Sequence, residues 1–303
     1  MSLVVVGSIA LDTVETPFGS ITDGLGGTAV YFSMAASLFA KVSLVGVVGE
    51  DFAQQHRQLL ESRHVDLSGL ATWPGRTFRW HGTYDYDLSV AHTLDTQLNV
   101  FAEFKPSLPE TYREAQFVFL GNIDPELQLT VLEQIRRPKF TLLDTMNFWI
   151  EGKRDKLTEA IERVHAVTMN EAEIREYTQN YSLTAAARQI MALGPKVVLI
   201  KRGEYGSVMV TRDGAFLAPA FLLEEVKDPT GAGDSFAGGF MGFLARAGRV
   251  EVSLLKQAIV HGGVVASFTV EDFSVNRLAR VTHDELNHRY AEFQRMTYFE
   301  PLA

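Results

Sequence analysis

The chain has 303 residues, 46% of them hydrophobic and 21% charged, with 24 Gly, 10 Pro and no Cys. These proportions exclude disordered, collagen-like and coiled-coil chains, and the length suits one large domain with a small accessory unit at most. With 28 Lys and Arg against 37 Asp and Glu the net charge is −9, which argues against a nucleic-acid partner; the missing cysteine removes disulfides, thiolate nucleophiles and Cys-bound zinc.

The opening Met1-Ser2-Leu3-Val4-Val5-Val6-Gly7 lacks a basic n-region and a signal-length apolar stretch. No run approaches the ~18 apolar residues of a membrane span. A cytoplasmic protein with no membrane partner is therefore expected.

Residues 3–9 (LVVVGSI) are a short, continuously apolar run, the mark of a strand buried on both faces. Helical spacing follows over 29–40, a second apolar run at 42–48, and helical spacing again over 51–63. Period-two alternation appears at 77–87, with Phe78, Trp80, Tyr84 and Tyr86 on one side and Arg79, His81, Thr83, Asp85 and Asp87 on the other. It returns at 97–104, where Leu98, Val100, Ala102 and Phe104 share a side. Alternation of this kind means half-exposed antiparallel strands, so a separate small sheet is expected, joined by the extended segment 13–21. An aromatic-faced sheet inserted in an α/β domain is a candidate lid; an edge hairpin or a dimer surface fits equally well.

Apolar runs resume at 117–121, 140–144, 164–169 and 196–201, separated by helical spacing over 126–137, 155–163, 171–178 and 183–193. A hairpin after 206 turns at Asp213-Gly214, and 232–247, 251–268 and 282–296 read as helices. Thr282 and Glu285 form a capping box for the last helix. Strand and helix in alternation predict an α/β fold: a doubly wound, mostly parallel sheet flanked by helices, with a small antiparallel β lid. The core is assigned to 1–12, 25–72 and 105–303, the lid to 13–24 and 73–104.

The strongest chemical signal is Asp228-Pro229-Thr230-Gly231-Ala232-Gly233-Asp234 running into a helix. Gly231, Ala232 and Gly233 carry little or no side chain, and the helix start adds free N–H groups and a partial positive charge, which together make an anion site. It is neither a Walker loop nor a dinucleotide GxGxxG motif. A carboxylate beside such a site makes sense if Asp234 takes a proton from a hydroxyl attacking a phosphate. The plainer alternative is that Asp234 caps the helix and the glycines permit tight packing. Asp12 follows the first strand, where open α/β sheets place ligands, and suits a pair of sugar hydroxyls; a turn residue is its alternative. Asn170 with Glu173 is a capping box by spacing.

Residues 228–241 resemble the C-terminal signature of the ribokinase-like (PfkB) carbohydrate kinase family, and the resemblance extends over the whole chain. Gly7-Ser8 with Asp12 is similar to that family's opening strand and substrate Asp. Gly26-Gly27 is similar to its sugar-site turn, and 46–51 (GVVGED) to the stretch that follows. Asn170-Glu171-Ala172-Glu173 matches its Asn-x-x-Glu element, and Lys201-Arg202-Gly203 with Gly206 its nucleotide loop.

The resemblance implies a ribokinase-like fold and an ATP-dependent kinase that transfers the γ-phosphoryl group to a hydroxyl of a small sugar or polyol. A nucleoside kinase of the same fold is the near alternative, and a non-catalytic sugar- or nucleotide-sensing protein the distant one. It makes Asp234 the base and the N–H groups of Gly231, Ala232 and Gly233 the hole. Asp12, Gly26 and Gly27 would hold the acceptor, and Asn170, Lys201, Gly203, Gly206 and His261 the nucleotide. Glu173 would hold Mg²⁺ through water, and Asp228 and Thr230 stand where family members bind a monovalent cation. Tyr31 replaces a common Asn, so with Phe78, Trp80 and Tyr84 it is expected to stack on a sugar face or a nucleobase; a place in the lid core fits these aromatics equally well. Asp144 and Asn147 are expected near the phosphates. His283 and His288 form no metal cluster. A homodimer through the lid is the expected assembly.

Overall fold

A computed structural model describes residues 2–300, so the expected core segment 105–303 runs three residues past it. The first part of the chain forms β1 (Leu3–Val6), β2 (Ala10–Thr16), β3 (Gly19–Gly26), α1 (Thr28–Ala36), β4 (Val42–Gly49), α2 (Gln54–Ser62), β5 (Val65–Trp73), β6 (Phe78–Tyr84) and β7 (Ala91–Gln97). The middle adds β8 (Phe117–Leu120), α3 (Pro125–Gln134), β9 (Phe140–Asp144), α4 (Asn147–Gly152), α5 (Arg154–Glu162), β10 (Ala166–Asn170), α6 (Glu171–Thr178) and α7 (Leu183–Leu193). The rest is β11 (Val197–Lys201), β12 (Ser207–Thr211), β13 (Gly214–Ala218), α8 (Ala232–Ala247), α9 (Val252–Thr269) and α10 (His283–Thr297).

The large sheet has the order β13-β12-β11-β10-β9-β8-β1-β4-β5. It is parallel from β11 to β5 and ends in the antiparallel hairpin β12–β13. Its two faces explain the continuous apolar runs. Leu3 and Val5 of β1, with Phe117 and Phe119 of β8, join the core under α1, α8 and α9. Val4 and Val6, with Val118 and Leu120, join the opposite core under α3, α5 and α7. Every position of these two strands is interior, which is why both read as unbroken apolar runs.

The small sheet has the order β3-β2-β6-β7. Two antiparallel hairpin-like pairs meet through a parallel pairing of β2 with β6, with Asp12 opposite Trp80. The segment 97–104 is not the strand that alternation predicted. Asn99–Glu103 is a 3-10 turn, and Val100 and Phe104 are buried while Phe101 stacks on Phe78. The partner of β6 is instead β7, exposed along its whole length. Lacking a buried face, β7 has no period to read. β5 also went unpredicted, because as the half-exposed edge of the large sheet it is not a continuous apolar run.

Among the described residues α9 is the one helix long and apolar enough to cross a membrane, and more than half of it is buried within the fold. α8 is clamped between α1 and α9 at glycines. A Cβ at Gly238 would lie 2.5 Å from the Phe32 carbonyl oxygen and 2.8 Å from Ala35 Cβ. This contact sets where α8 starts. Gly238→Ala should therefore push the helices apart and cost about 1–3 kcal/mol, read by urea unfolding; an unchanged midpoint would contradict so close a contact.

Candidate active site

Strand order reverses between β1 and β8, and ligands of open α/β sheets bind outside the carboxyl ends of such neighbours. Past β1, Ser8 fixes the start of α1: its Oγ accepts from Thr28 N at 3.2 Å and its carbonyl from Ala29 N at 3.0 Å. Gly27, the N-cap, has φ 89°, and a Cβ there would lie 2.6 Å from the Ser8 carbonyl oxygen. Gly26 is small for another reason, since its Cβ would lie 1.9 Å from Asp12 Oδ2. The double glycine clears room for the Asp12 carboxylate. That carboxyl is 6% exposed. Burial, with the charges of Asp228 and Asp234, pushes it up to about 7 against the pull of a Gly27 N–H hydrogen bond.

α8 begins in front of this group. Its N-cap Gly231 has φ 76°, the left-handed region, and a Cβ would lie 2.4 Å from the Tyr31 ring. Ala232 N donates to the Pro229 carbonyl at 3.1 Å, so of the three expected donors only Gly231 and Gly233 make no such turn bond. Asp234 lies in the first turn and is only partly buried at the surface. Desolvation nevertheless leads in raising its carboxyl to about 7; Asp144 and Glu173 add to this, while Lys201 and the Thr28 hydroxyl oppose it.

Lys201, the last residue of β11, donates from Nζ to Asp144 Oδ1 and Oδ2 at 2.9 and 3.1 Å. A Cβ at Gly233 would lie 3.3 Å from that Nζ, which puts the ammonium beside the helix start. Burial lowers its pKa, but Asp144 and Glu173 outweigh this and hold it above the ordinary value. Asn170 is in register beside Lys201. Its box with Glu173 is complete: Glu173 N donates to Asn170 Oδ1 at 2.8 Å, and Asn170 N and Nδ2 donate to the two Glu173 oxygens at 2.6 and 2.7 Å. Burial pushes the Glu173 carboxyl up to about 7. Among the described residues no three His, Asp or Glu side chains converge as on a metal. Glu173 fits an ion held mainly by phosphates and water, not a protein cage. Gly203 and Gly206 shape the turn between β11 and β12.

The small sheet covers the site. The Trp80 ring lies across Gly82, where a Cβ would be 2.2 Å away, and its Nε1 donates to Thr93 Oγ1 at 3.2 Å. Thr230 Oγ1 donates to Tyr84 Oη at 3.2 Å, and Thr16 Oγ1 to the Lys227 carbonyl at 2.8 Å, so two bonds hold β2 and β6 to the bend before α8. Arg79 is spent on Asp23 and Asp51 and offers no free charge to a ligand.

Three sequence expectations come out differently. Tyr31 is 1% exposed beneath Gly231, so its ring has no open face for stacking. His261 does not join the polar group: it stacks between Phe243 and Tyr290, edge-on to Phe39, and burial pushes it down to about 3. Asn147 opens α4 with an exposed side chain and no bond to the cluster. Sequence reasoning missed Thr28, whose only signal is its place directly after Gly26-Gly27, and the Tyr84–Thr230 bond, which joins distant segments.

A family model described as pfkB family carbohydrate kinase matches residues 2–279. The chain belongs to this family. It is 35% identical over 257 residues to a cytidine kinase of Thermococcus kodakarensis, covering 83% of this chain and 91% of the relative. An aminoimidazole riboside kinase of Salmonella typhimurium is 25% identical, with 88% of each chain covered. The solved nucleoside kinase of Methanocaldococcus jannaschii superposes with TM-score 0.76 at 21% identity, covering 96% of this chain and 98% of its own. The fold is that of the ribokinases, and this PfkB kinase is a phosphotransferase with a hydroxyl acceptor.

Raised carboxyls destabilise the fold as they ionise. The folded protein holds the Asp12 proton up to about 7, whereas the unfolded chain releases it near ~4. The stabilisation is thus complete below ~4 and is lost as pH rises to about 7. His261, pushed down to about 3, acts oppositely below ~6.5, so the variant-minus-wild-type difference is the useful reading. Asp12→Asn should raise Tm of the ligand-free kinase at about pH 8 and have little effect near pH 4.5. A Tm lowered at pH 8 would contradict the burial described.

Proposed function

We propose that this kinase uses ATP to phosphorylate a nucleoside on its ribose 5′-hydroxyl. The observation that carries the reading is the pair of carboxylates at the glycine bend of α8, each raised first by burial and then by neighbouring carboxylates, Asp228 and Asp234 for Asp12, Asp144 and Glu173 for Asp234. Asp12 accepts hydrogen bonds from two ribose hydroxyls. Asp234 takes the proton of the attacking hydroxyl while that oxygen bonds to the γ-phosphorus and the bond to the bridging oxygen of ADP breaks. The N–H groups of Gly231 and Gly233 receive the migrating charge, and Lys201 sits beside them. Glu173 would hold, through water, the Mg²⁺ that comes with ATP, and the ion would supply charge neutralisation at the phosphates. Asn170, Gly203 and Gly206 line the nucleotide side. Asp228 Oδ2 is buried without a partner, which supports a monovalent cation held by backbone oxygens near Asp228 and Thr230. The small sheet opens to admit the acceptor and closes to exclude water; its exposed strand β7 supports assembly of a homodimer through this sheet.

The names of the cytidine and riboside kinase relatives, aligned over most of both chains, support a nucleoside as acceptor. A free sugar is the second reading, favoured by the covered Tyr31 ring, which removes one of the aromatic platforms expected at a base. A panel of cytidine, adenosine and ribose with ATP separates them: fastest turnover on nucleosides is expected, and turnover of ribose alone would replace the first reading by the second. Asp234→Asn should bind ligands nearly as before and lose at least about a hundredfold in turnover. Unchanged turnover would remove Asp234 from the chemistry.

A further inference from the structure

Lys201 and Asp144 end β11 and β9, and β10 lies between those strands. The Lys201 side chain therefore crosses the end of β10 to reach its partner. Asp144 is 3% exposed and held from several sides: its Oδ1 also accepts from Thr145 N at 3.0 Å, and Gln128 Nε2 donates to its carbonyl at 2.9 Å. Lys201 Nζ meets both carboxylate oxygens, at 2.9 and 3.1 Å, and bonds no other group among the described residues. An ammonium has three protons, so one is left for a ligand. Gly233 runs along the end of this side chain. Its backbone is helical, inside α8 and outside the left-handed region, so its conformation does not call for glycine. A Cβ there would lie 3.3 Å from Lys201 Nζ, 3.4 Å from Cδ and 3.7 Å from Cε, so the absent side chain is clearance for Lys201. A buried ion pair adds little to stability by itself, since an apolar pair of similar volume does as well. This pair places a cation at the glycine bend, amid the carboxylates of Asp144, Glu173 and Asp234.

We infer that Lys201 is a catalytic cation of the phosphoryl-transfer step and Asp144 its positioning residue: Asp144 draws the ammonium across β10 to the bare face of Gly233, where it contacts an oxygen of the group in transit. This rests on the reading of the α8 start as the phosphoryl site. The acceptor oxygen bonds to the γ-phosphorus, the bond to the bridging oxygen of ADP breaks with its electron pair, and Asp234 takes the acceptor proton. Lys201 keeps its own three protons throughout. Negative charge shifts among the oxygens during transfer, and a cation already fixed in a desolvated site stabilises it without reorganising. The role differs from a grip on bound ATP. A contact equally strong before and during transfer lowers KM and leaves kcat unchanged, whereas one that tightens during transfer raises kcat.

Steady-state kinetics of Lys201→Met, Asp144→Asn and the double variant test the pair, with ATP varied and the fastest acceptor among cytidine, adenosine and ribose. Each single variant should lose about ten- to a hundredfold in kcat while KM for ATP stays within about threefold. Because Asp144 acts through Lys201, the double variant should be no slower than Lys201→Met. The double variant also removes both charges together, so it keeps the fold where a lone buried charge would not, and by itself it must show the kcat loss. Wild-type kcat in the folded double variant, a loss confined to KM for ATP, or losses that multiply in the double variant would overturn the inference. Where Asp234→Asn loses turnover and these variants do not, the phosphoryl site stands and the role of the pair falls. Turnover of ribose alone would end the nucleoside reading and leave this comparison as decisive as before.

Discussion

The site depends on the desolvation of carboxylates. Asp12 is buried and Asp234 partly so, their carboxyls raised chiefly by desolvation, with a single ammonium, Lys201, beside the second. Lys201 is already committed to Asp144. Such a cluster carries excess negative charge at the start of α8. It is consistent with a reaction in which proton uptake by Asp234 and the arrival of a divalent ion with the nucleotide both relieve the charge. A site built only to bind phosphate would gain nothing from these carboxylates.

The fold produces this crowding through close helix contacts. α1 and α8 start at neighbouring points because Ser8 anchors one and Gly238 lets the other approach it. Glycine recurs wherever two backbones or a backbone and a ring must touch: Gly27 against Ser8, Gly26 against Asp12, Gly231 against Tyr31. The small sheet then closes over the cleft with Tyr84 and Thr16 fastened to the bend at 227–230. Any opening of the small sheet away from α8 must break those two bonds.

Much of this was legible in the residues. The parallel sheet announced itself because strands buried on both faces are mostly apolar along their whole length, and the Gly231–Asp234 bend because small residues before a helix mean close approach. What stayed hidden was decided by tertiary contacts. β7 is polar on both faces and gave no period, while Val100 and Phe104, spaced as in a strand, are buried from a 3-10 turn. Tyr31 was expected against the acceptor by its ring, but the glycine that covers it lies two hundred residues away in sequence. His261 has a place in the family's order and a chemically apt side chain, yet its neighbours are aromatic rings of other helices. Single-sequence patterns report burial along one element and cannot report which distant group occupies the space in front of it.

The pH dependence of kcat/KM for the acceptor tests the central claim most directly, because it reports the ionisation of the free enzyme's base. The account predicts a limb below about 7, where both Asp12 and Asp234 ionise, that is steeper than tenfold per pH unit in the wild type and shallower in the residual rate of Asp234→Asn. A profile flat down to about pH 5 would mean that no desolvated carboxylate takes the proton, and the chemistry described for this site would be wrong.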